Sequence, residues 1–207
     1  VYTHSVKATA AARGDRTVKL ALFFHDIGKP ACFTEDELGG HFIGHPEVGA
    51  KMTETILRRL RADGATVRDV TSLVREHHRV IGESERGMRR LLAALGEENV
   101  RRLLELRRGD NSALIPELRE ERLAEIDENE KLLDAVVAKD CCLSLRSLAI
   151  GGDDLIALGM KPGREIGRLL AALLDGVIDG TLTNERSALL GEARRRLPPE
   201  REEDGGS

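Results

Sequence analysis

Residues 22–30, Leu-Phe-Phe-His-Asp-Ile-Gly-Lys-Pro, end an apolar run with an imidazole and a carboxylate side by side. Such groups are costly to bury unless something pairs with them. Consecutive residues on a helix diverge by about 100°, so His25 and Asp26 grip one partner only where other segments close on them. The fold must therefore gather several elements around this helix end, and a metal ion is the partner these residue types suggest.

Composition says what those elements are. The chain has 207 residues, 41% of them hydrophobic, enough to core one or two domains. Aromatic residues make up only 2%, and Leu, Ala, Arg and Glu dominate, which predicts an all-α protein built as a helical bundle followed by a smaller C-terminal helical region. A net charge of −4 carries no global signal for nucleic acid or membrane, so any such binding must be local. Cys32 and the adjacent Cys141-Cys142 have neither zinc-type spacing nor a disulfide framework. With no signal peptide and no apolar run of spanning length, the expectation is a soluble cytoplasmic protein without membrane partners. The helical pattern begins at Val1 without a cap, which reads as the back part of a longer polypeptide.

Periodicity predicts helices over 1–12 and 16–27, then a hairpin or ordered loop with β-prone pieces at Cys32-Phe33-Thr34 and His41-Phe42-Ile43. Met52, Ile56, Leu57 and Leu60 mark one helix face, and Val67, Val70 and Val74 mark the next, which runs into Glu76-His77-His78. Gly82-Glu83-Ser84 reads as a cap before two Arg-rich amphipathic helices. A long charged helix is expected over 117–139, with Leu118, Ile126, Leu133 and Val137 along it. A short helix follows from Asp153, a longer one after Lys161-Pro162-Gly163, and a last one over about 184–196. Domains are expected at 1–114 and 115–196, with a disordered tail over 197–207.

All six histidines fall at positions 4, 25, 41, 45, 77 and 78. His4, on the helix before His25-Asp26, is placed to supply another ligand. The stripe Val100, Leu103, Leu106 continues to Asp110, which puts that carboxylate toward the core, where it needs a cation. This order of His4, His25-Asp26 and Asp110 across successive helices resembles the HD phosphohydrolase superfamily. The resemblance implies ligands converging on divalent metal, one or two ions, and hydrolysis of phosphate esters, with His25 and Asp26 as the catalytic pair. Two nitrogen and two carboxylate ligands suit Mn, Fe, Ni, Co or Mg more than a structural zinc. In two-metal members extra histidines lie between the doublet and the last Asp, and His45 and His77 match them, with Asp26 then bridging the ions and a bound hydroxide attacking phosphorus. His78 reads either as a substrate-orienting or as a surface residue, Lys29 is a candidate for meeting substrate phosphate, and His41 is read as structural.

The stretch HDIGKPACFTEDELGGHFIGHPEVGAKM further resembles the segment after the HD doublet in bacterial tRNA CCA-adding nucleotidyltransferases, a family shared with poly(A) polymerases. LAIGGDDLIALGMKPGREIGRLLAALLDGVIDGTLTNERSALL is similar to that family's C-terminal helical region, so residues 115–196 are expected to act as its tRNA-holding body and tail. The Asp-x-Asp pair of the family's nucleotidyltransferase head has no counterpart, Asp153-Asp154 being adjacent, so this chain alone is not expected to add nucleotides. Candidate RNA contacts are Arg107, Arg108 and the helix opening at Lys161, Gly163, Arg164 and Arg168, where backbone N–H groups can cradle a phosphate. The expected substrates or partners are tRNA and nucleotide phosphoesters. Three other readings stand beside this one: a free-standing HD phosphohydrolase in nucleotide metabolism or signalling, an RNA-binding scaffold with a silent HD pocket, and a helical domain whose histidines only satisfy core hydrogen bonds.

Overall fold

The computed structural model describes residues 1–37, 39–81, 84–112, 114–139 and 142–197, apart from the side chain of Glu117. Among them the chain forms ten α-helices: α1 Tyr2–Ala11, α2 Arg16–Phe24, α3 His45–Arg59, α4 Gly64–Glu76, α5 Glu85–Leu95, α6 Glu97–Asn111, α7 Pro116–Val137, α8 Gly152–Ala157, α9 Arg164–Ile178 and α10 Arg186–Arg196. Two short strands, β1 Thr34–Asp36 and β2 Gly39–His41, pair antiparallel with Thr34 opposite His41. The fold is all-α. Gly82-Glu83 of the expected cap, Cys141 and the tail from position 198 lie outside the described residues.

The helix that leads to the site is started by Asp15, whose carboxylate accepts from the Val18 amide at 3.0 Å, the N-cap role of a short acidic side chain. α2 then buries Val18, Ala21, Leu22 and Phe24 along one face. Burying a Val, Leu or Phe fully is worth roughly 1.5–3 kcal/mol, so this face fixes the helix firmly in the core. The helix stops at Phe24, short of the 27 that periodicity predicts. The Ile27 amide bonds back to the Phe24 carbonyl, and the chain passes into a single 3-10 turn over Lys29–Ala31, with Pro30 preventing continuation.

Packing contacts divide the chain into one unit of residues 1–83 with 95–135 and a second of residues 84–94 with 136–207. In the first, α2 packs on α1, α4 and α6, while α3 lies along α4. Val67, Val70 and Val74 of α4 are buried, as are Val100, Leu103 and Leu106 of α6. On α3 the buried face is His45, Gly49, Ala50, Thr53 and Leu57, whereas Met52 and Leu60 are exposed. Of the expected face Met52, Ile56, Leu57 and Leu60, Leu57 is buried and Ile56 half-buried, while Met52 and Leu60 are corrected to the outside, because the small Gly49, Ala50 and Thr53 let α3 approach its neighbours closely.

Two glycines set close approaches. A Cβ on Gly109 of α6 would lie 2.7 Å from Leu22 Cδ1 and 3.5 Å from the Ala8 carbonyl oxygen. One on Gly28 would lie 2.3 Å from the His45 carbonyl oxygen and 2.7 Å from the Gly49 nitrogen. The hairpin also departs from expectation, since its strands sit nearer the turn than Cys32-Phe33-Thr34 and His41-Phe42-Ile43. In it His41 Nε2 meets Asp36 Oδ1 at 3.0 Å.

In the second unit, Cys142, Leu148, Ile150, Leu155, Leu173, Leu189 and Ala193 form a buried cluster. Asn184 staples its loops, accepting from the Ala149 amide at 2.8 Å and donating to the Ser147 carbonyl at 2.9 Å. Arg86 and Arg90 of α5 both reach Asp179, at 2.7 and 2.6 Å. Among the described residues no helix is long and apolar enough to cross a membrane.

Candidate metal centre

Five helices deliver the site. His25 and Asp26 follow α2, His45 opens α3, His77 and His78 follow α4, and Asp110 lies in the last turn of α6, facing His4 of α1. The structure thus brings together every expected metal ligand, in two groups whose ligand atoms lie within 4.8 Å of one another: Asp26, His45, His77 and His78, and His4, His25 and Asp110.

Each of the three buried histidines is oriented by the same local device. The Nδ1 of His25, His45 and His77 lies 2.7, 2.8 and 2.7 Å from the carbonyl of the residue three positions earlier, Leu22, Phe42 and Val74. A carbonyl only accepts, so Nδ1 carries the proton, and in a neutral ring Nε2 presents a lone pair to the site. This is how metal-binding imidazoles are held. His45 Nε2 and His77 Nε2 stand 3.3 Å apart, two acceptors facing each other with no proton of their own to share.

Asp26 lies between the groups. Its Oδ2 takes the Lys29 ammonium at 2.7 Å and lies 3.4 Å from His25 Nε2. Its Oδ1 lies 3.7 Å from His45 Nε2 and 3.9 Å from His77 Nε2, buried and without a hydrogen-bond partner. An orphaned buried carboxylate oxygen opposite two lone pairs is a donor set that lacks a cation, so the residues fit a divalent ion. In the other group Asp110 Oδ1 lies 2.7 Å from His4 Nε2 and 3.3 Å from His25 Nε2.

The electrostatics of the two groups differ. Burial, helped by the nearby His78, His25 and His45, pushes His77 down to about 3 and keeps it neutral. His78 is lowered too, by burial first and then by His45 and Lys29. Burial also works against a charged His25, but the hydrogen bond and charge of Asp110 and the charge of Asp26 outweigh it and raise its pKa. Burial opposes ionisation of Asp26 and Asp110, yet both are held below the usual carboxylate range, Asp26 by His25 and Lys29, Asp110 by His25 and His4.

The other candidates separate. Lys29 engages Asp26 directly, and His78, left open by the sequence, joins the Asp26 group. Arg108 is tied to Asp127 and Glu130, each at 2.9 Å, whereas Arg107 makes no ion pair among the described residues. In the second unit Gly163 caps α9, Arg168 pairs with Glu165 at 2.6 Å, and Lys161 and Arg164 are exposed. Asp179, the partner of Arg86 and Arg90, carried no sequence signal.

Two curated proteins are similar to this chain. An A-adding tRNA nucleotidyltransferase of Deinococcus radiodurans is 30% identical over 184 residues, 84% of this chain and 42% of the relative. A CC-adding tRNA nucleotidyltransferase of Thermus thermophilus is 32% identical over 181 residues, 82% of this chain and 38% of the relative. The chain thus spans about two fifths of the length of these relatives. The profile of tRNA nucleotidyltransferase domain 2 matches residues 42–193, a span that includes His45, His77 and Asp110 and most of the second unit. The chain belongs to the tRNA nucleotidyltransferase domain 2 family.

Proposed function

We propose that this chain is the C-terminal body of a tRNA nucleotidyltransferase and carries a divalent-metal-dependent phosphohydrolase site of HD type for nucleotide or RNA phosphoesters. The observation that carries this reading is Asp26 Oδ1, buried and unpartnered opposite the Nε2 atoms of His45 and His77. His45, His77, His78 and Asp26 would hold one ion, and His4, His25 and Asp110, with Asp26 between the groups, a second. A divalent ion there supplies Lewis-acid activation of water and neutralises charge on the phosphate. The chain's own residues do the rest. Lys29 fixes one oxygen of Asp26 so that the other faces the histidines. The three backbone carbonyls lock the imidazoles in the tautomer that binds metal. Soft thiolates are missing from the donor set, which suits Mn, Fe, Ni, Co or Mg.

The test is elemental analysis of the purified chain together with hydrolysis of a 2′,3′-cyclic nucleotide in the presence of Mn, Ni or Mg. One or two ions per chain, with turnover lost in Asp26→Asn, is the expected result. A folded chain that binds metal but hydrolyses neither cyclic nucleotides nor a generic phosphodiester would sink the hydrolase reading.

A second reading, compatible with the first, is that the C-terminal unit holds tRNA. It is favoured by the exposed Lys161 and Arg164 at the opening of α9, which form no ion pair among the described residues, and by the two relatives named for tRNA. Binding that is insensitive to salt would rule it out, because phosphate contacts release counterions.

A further inference from the structure

Arg107 and Arg108 are neighbours on α6, so their side chains leave the helix about 100° apart, and the structure gives them opposite fates. Arg108 is surrounded by carboxylates, with Asp127 and Glu130 each at 2.9 Å and Glu105 at 3.8 Å. Arg107 donates one terminal N–H to the Arg79 carbonyl, its Nε is buried with no partner, and no described carboxylate pairs with it. It lines a cavity of about 970 Å³ whose wall also includes His78. His78 is at the same time a member of the Asp26, His45, His77 group, so the cavity and the candidate metal centre share this side chain.

The rest of the wall is suited to more than a bare phosphate. Val80, Ile81, Ala124 and Leu132 supply apolar surface. Asn129 gives its amide N–H to the Glu125 carbonyl at 2.8 Å, which leaves its side-chain oxygen as an acceptor. The charges of α7 largely cancel within the wall, Arg122 with Glu125 at 3.0 Å and Lys131 with Glu128 at 2.6 Å, while Glu121 sits at its exposed side. Arg107 is therefore the cation of this wall that is not already committed to a described carboxylate. A cavity of this size is in the range of small-ligand sites, and a guanidinium that no carboxylate engages is a phosphate receptor.

We propose that this cavity binds a nucleoside phosphate, with Arg107 on the phosphate and the base against the apolar wall, so that the ester is presented to the metal group beside His78. The inference rests on the phosphohydrolase reading for its purpose, but its test does not depend on turnover. Calorimetry with AMP, adenosine and inorganic phosphate, on the chain with and without Mn, separates the contributions. AMP and phosphate are expected to bind, and Arg107→Gln to weaken AMP at least tenfold while adenosine affinity and metal content stay unchanged. Arg107→Lys, which keeps the charge and loses the fork, should fall between, and it serves as the folded reference if Arg107→Gln is unstable. Wild-type affinity for AMP in Arg107→Gln, or a chain that binds metal but neither AMP nor phosphate, overturns the proposal. Arg107-dependent AMP binding by a chain that holds no metal upholds the pocket and refutes the hydrolase reading, so the two fail separately.

Discussion

His45 and His77 face each other Nε2 to Nε2 at 3.3 Å, each turned there by a carbonyl three residues before it. Nε2 lone pairs so placed repel, and a cation between them and Asp26 removes the repulsion. A metal that binds only the folded chain stabilises it by about 2.7 kcal/mol when free metal is a hundredfold above its Kd. Chemical denaturation with Mn or Ni should show a gain of that order, and His77→Ala should abolish it. Equal midpoints with metal and with chelator would mean that the pair is only a packing contact.

Gly109 fixes how closely α6 crosses α2. In Gly109→Ala the new methyl would press on Leu22 and on the α1 backbone at Ala8, costing about 1–3 kcal/mol as overpacking. Because Asp110 is the next residue, the same change should lengthen its hydrogen bond with His4 and weaken metal binding. Urea midpoints and metal content, measured together, check both effects; an unshifted midpoint would show that Leu22 moves aside at no cost.

Asp179 sits at the C-terminal end of α9, where a negative charge is unfavourable to the helix dipole, yet side-chain hydrogen bonds from Arg90 and Arg86 hold its carboxyl well below the usual carboxylate range. A depressed folded pKa adds stability that is complete above the unfolded value of about 3.9 and disappears as pH falls through the lower folded value. Asp179→Asn should therefore be less stable than the parent at pH 6–7, and the gap should close as the solution is acidified below about pH 4. A gap that is the same at pH 7 and pH 3 would contradict the charge pairing.

If the C-terminal unit holds tRNA, the double change Lys161→Ala and Arg164→Ala should weaken tRNA binding and flatten the plot of log affinity against log salt by about 2, roughly one for each phosphate no longer neutralised. Asp26→Asn should leave that binding unchanged. Filter binding across a salt series reads both, and an unchanged slope would exclude this helix opening as the place where RNA is held.

Much of this was open to sequence reasoning where local periodicity rules. The stripe Val100, Leu103, Leu106 led to Asp110 because a helix repeats every 3.6 residues, and the starts of α8, α9 and α10 followed to within two residues from Gly and Pro punctuation and the chain after it. Where tertiary packing chose between faces, the signal failed. α3 buries Gly49, Ala50 and Thr53 in preference to Met52 and Leu60, because closeness to its neighbours outweighs the size of the apolar side chain. The opposite fates of Arg107 and Arg108 depend on carboxylates of α7, and the pairing of Asp179 with Arg86 and Arg90 spans about ninety positions. The membership of residues 84–94 in the second unit also has no mark in the sequence.

That membership bears on how the protein can be dissected. α5 is inserted between segments of the first unit but belongs with residues 136–207, so no single cut yields two intact halves. A fragment ending near residue 135 would keep Arg86 and Arg90 without Asp179, and the apolar face of Met88, Leu91 and Leu92 without the segment it is grouped with. A clean separation calls for removal of 84–94 and a new bridge from 83 to 95, with the excised helix rejoined ahead of residue 136.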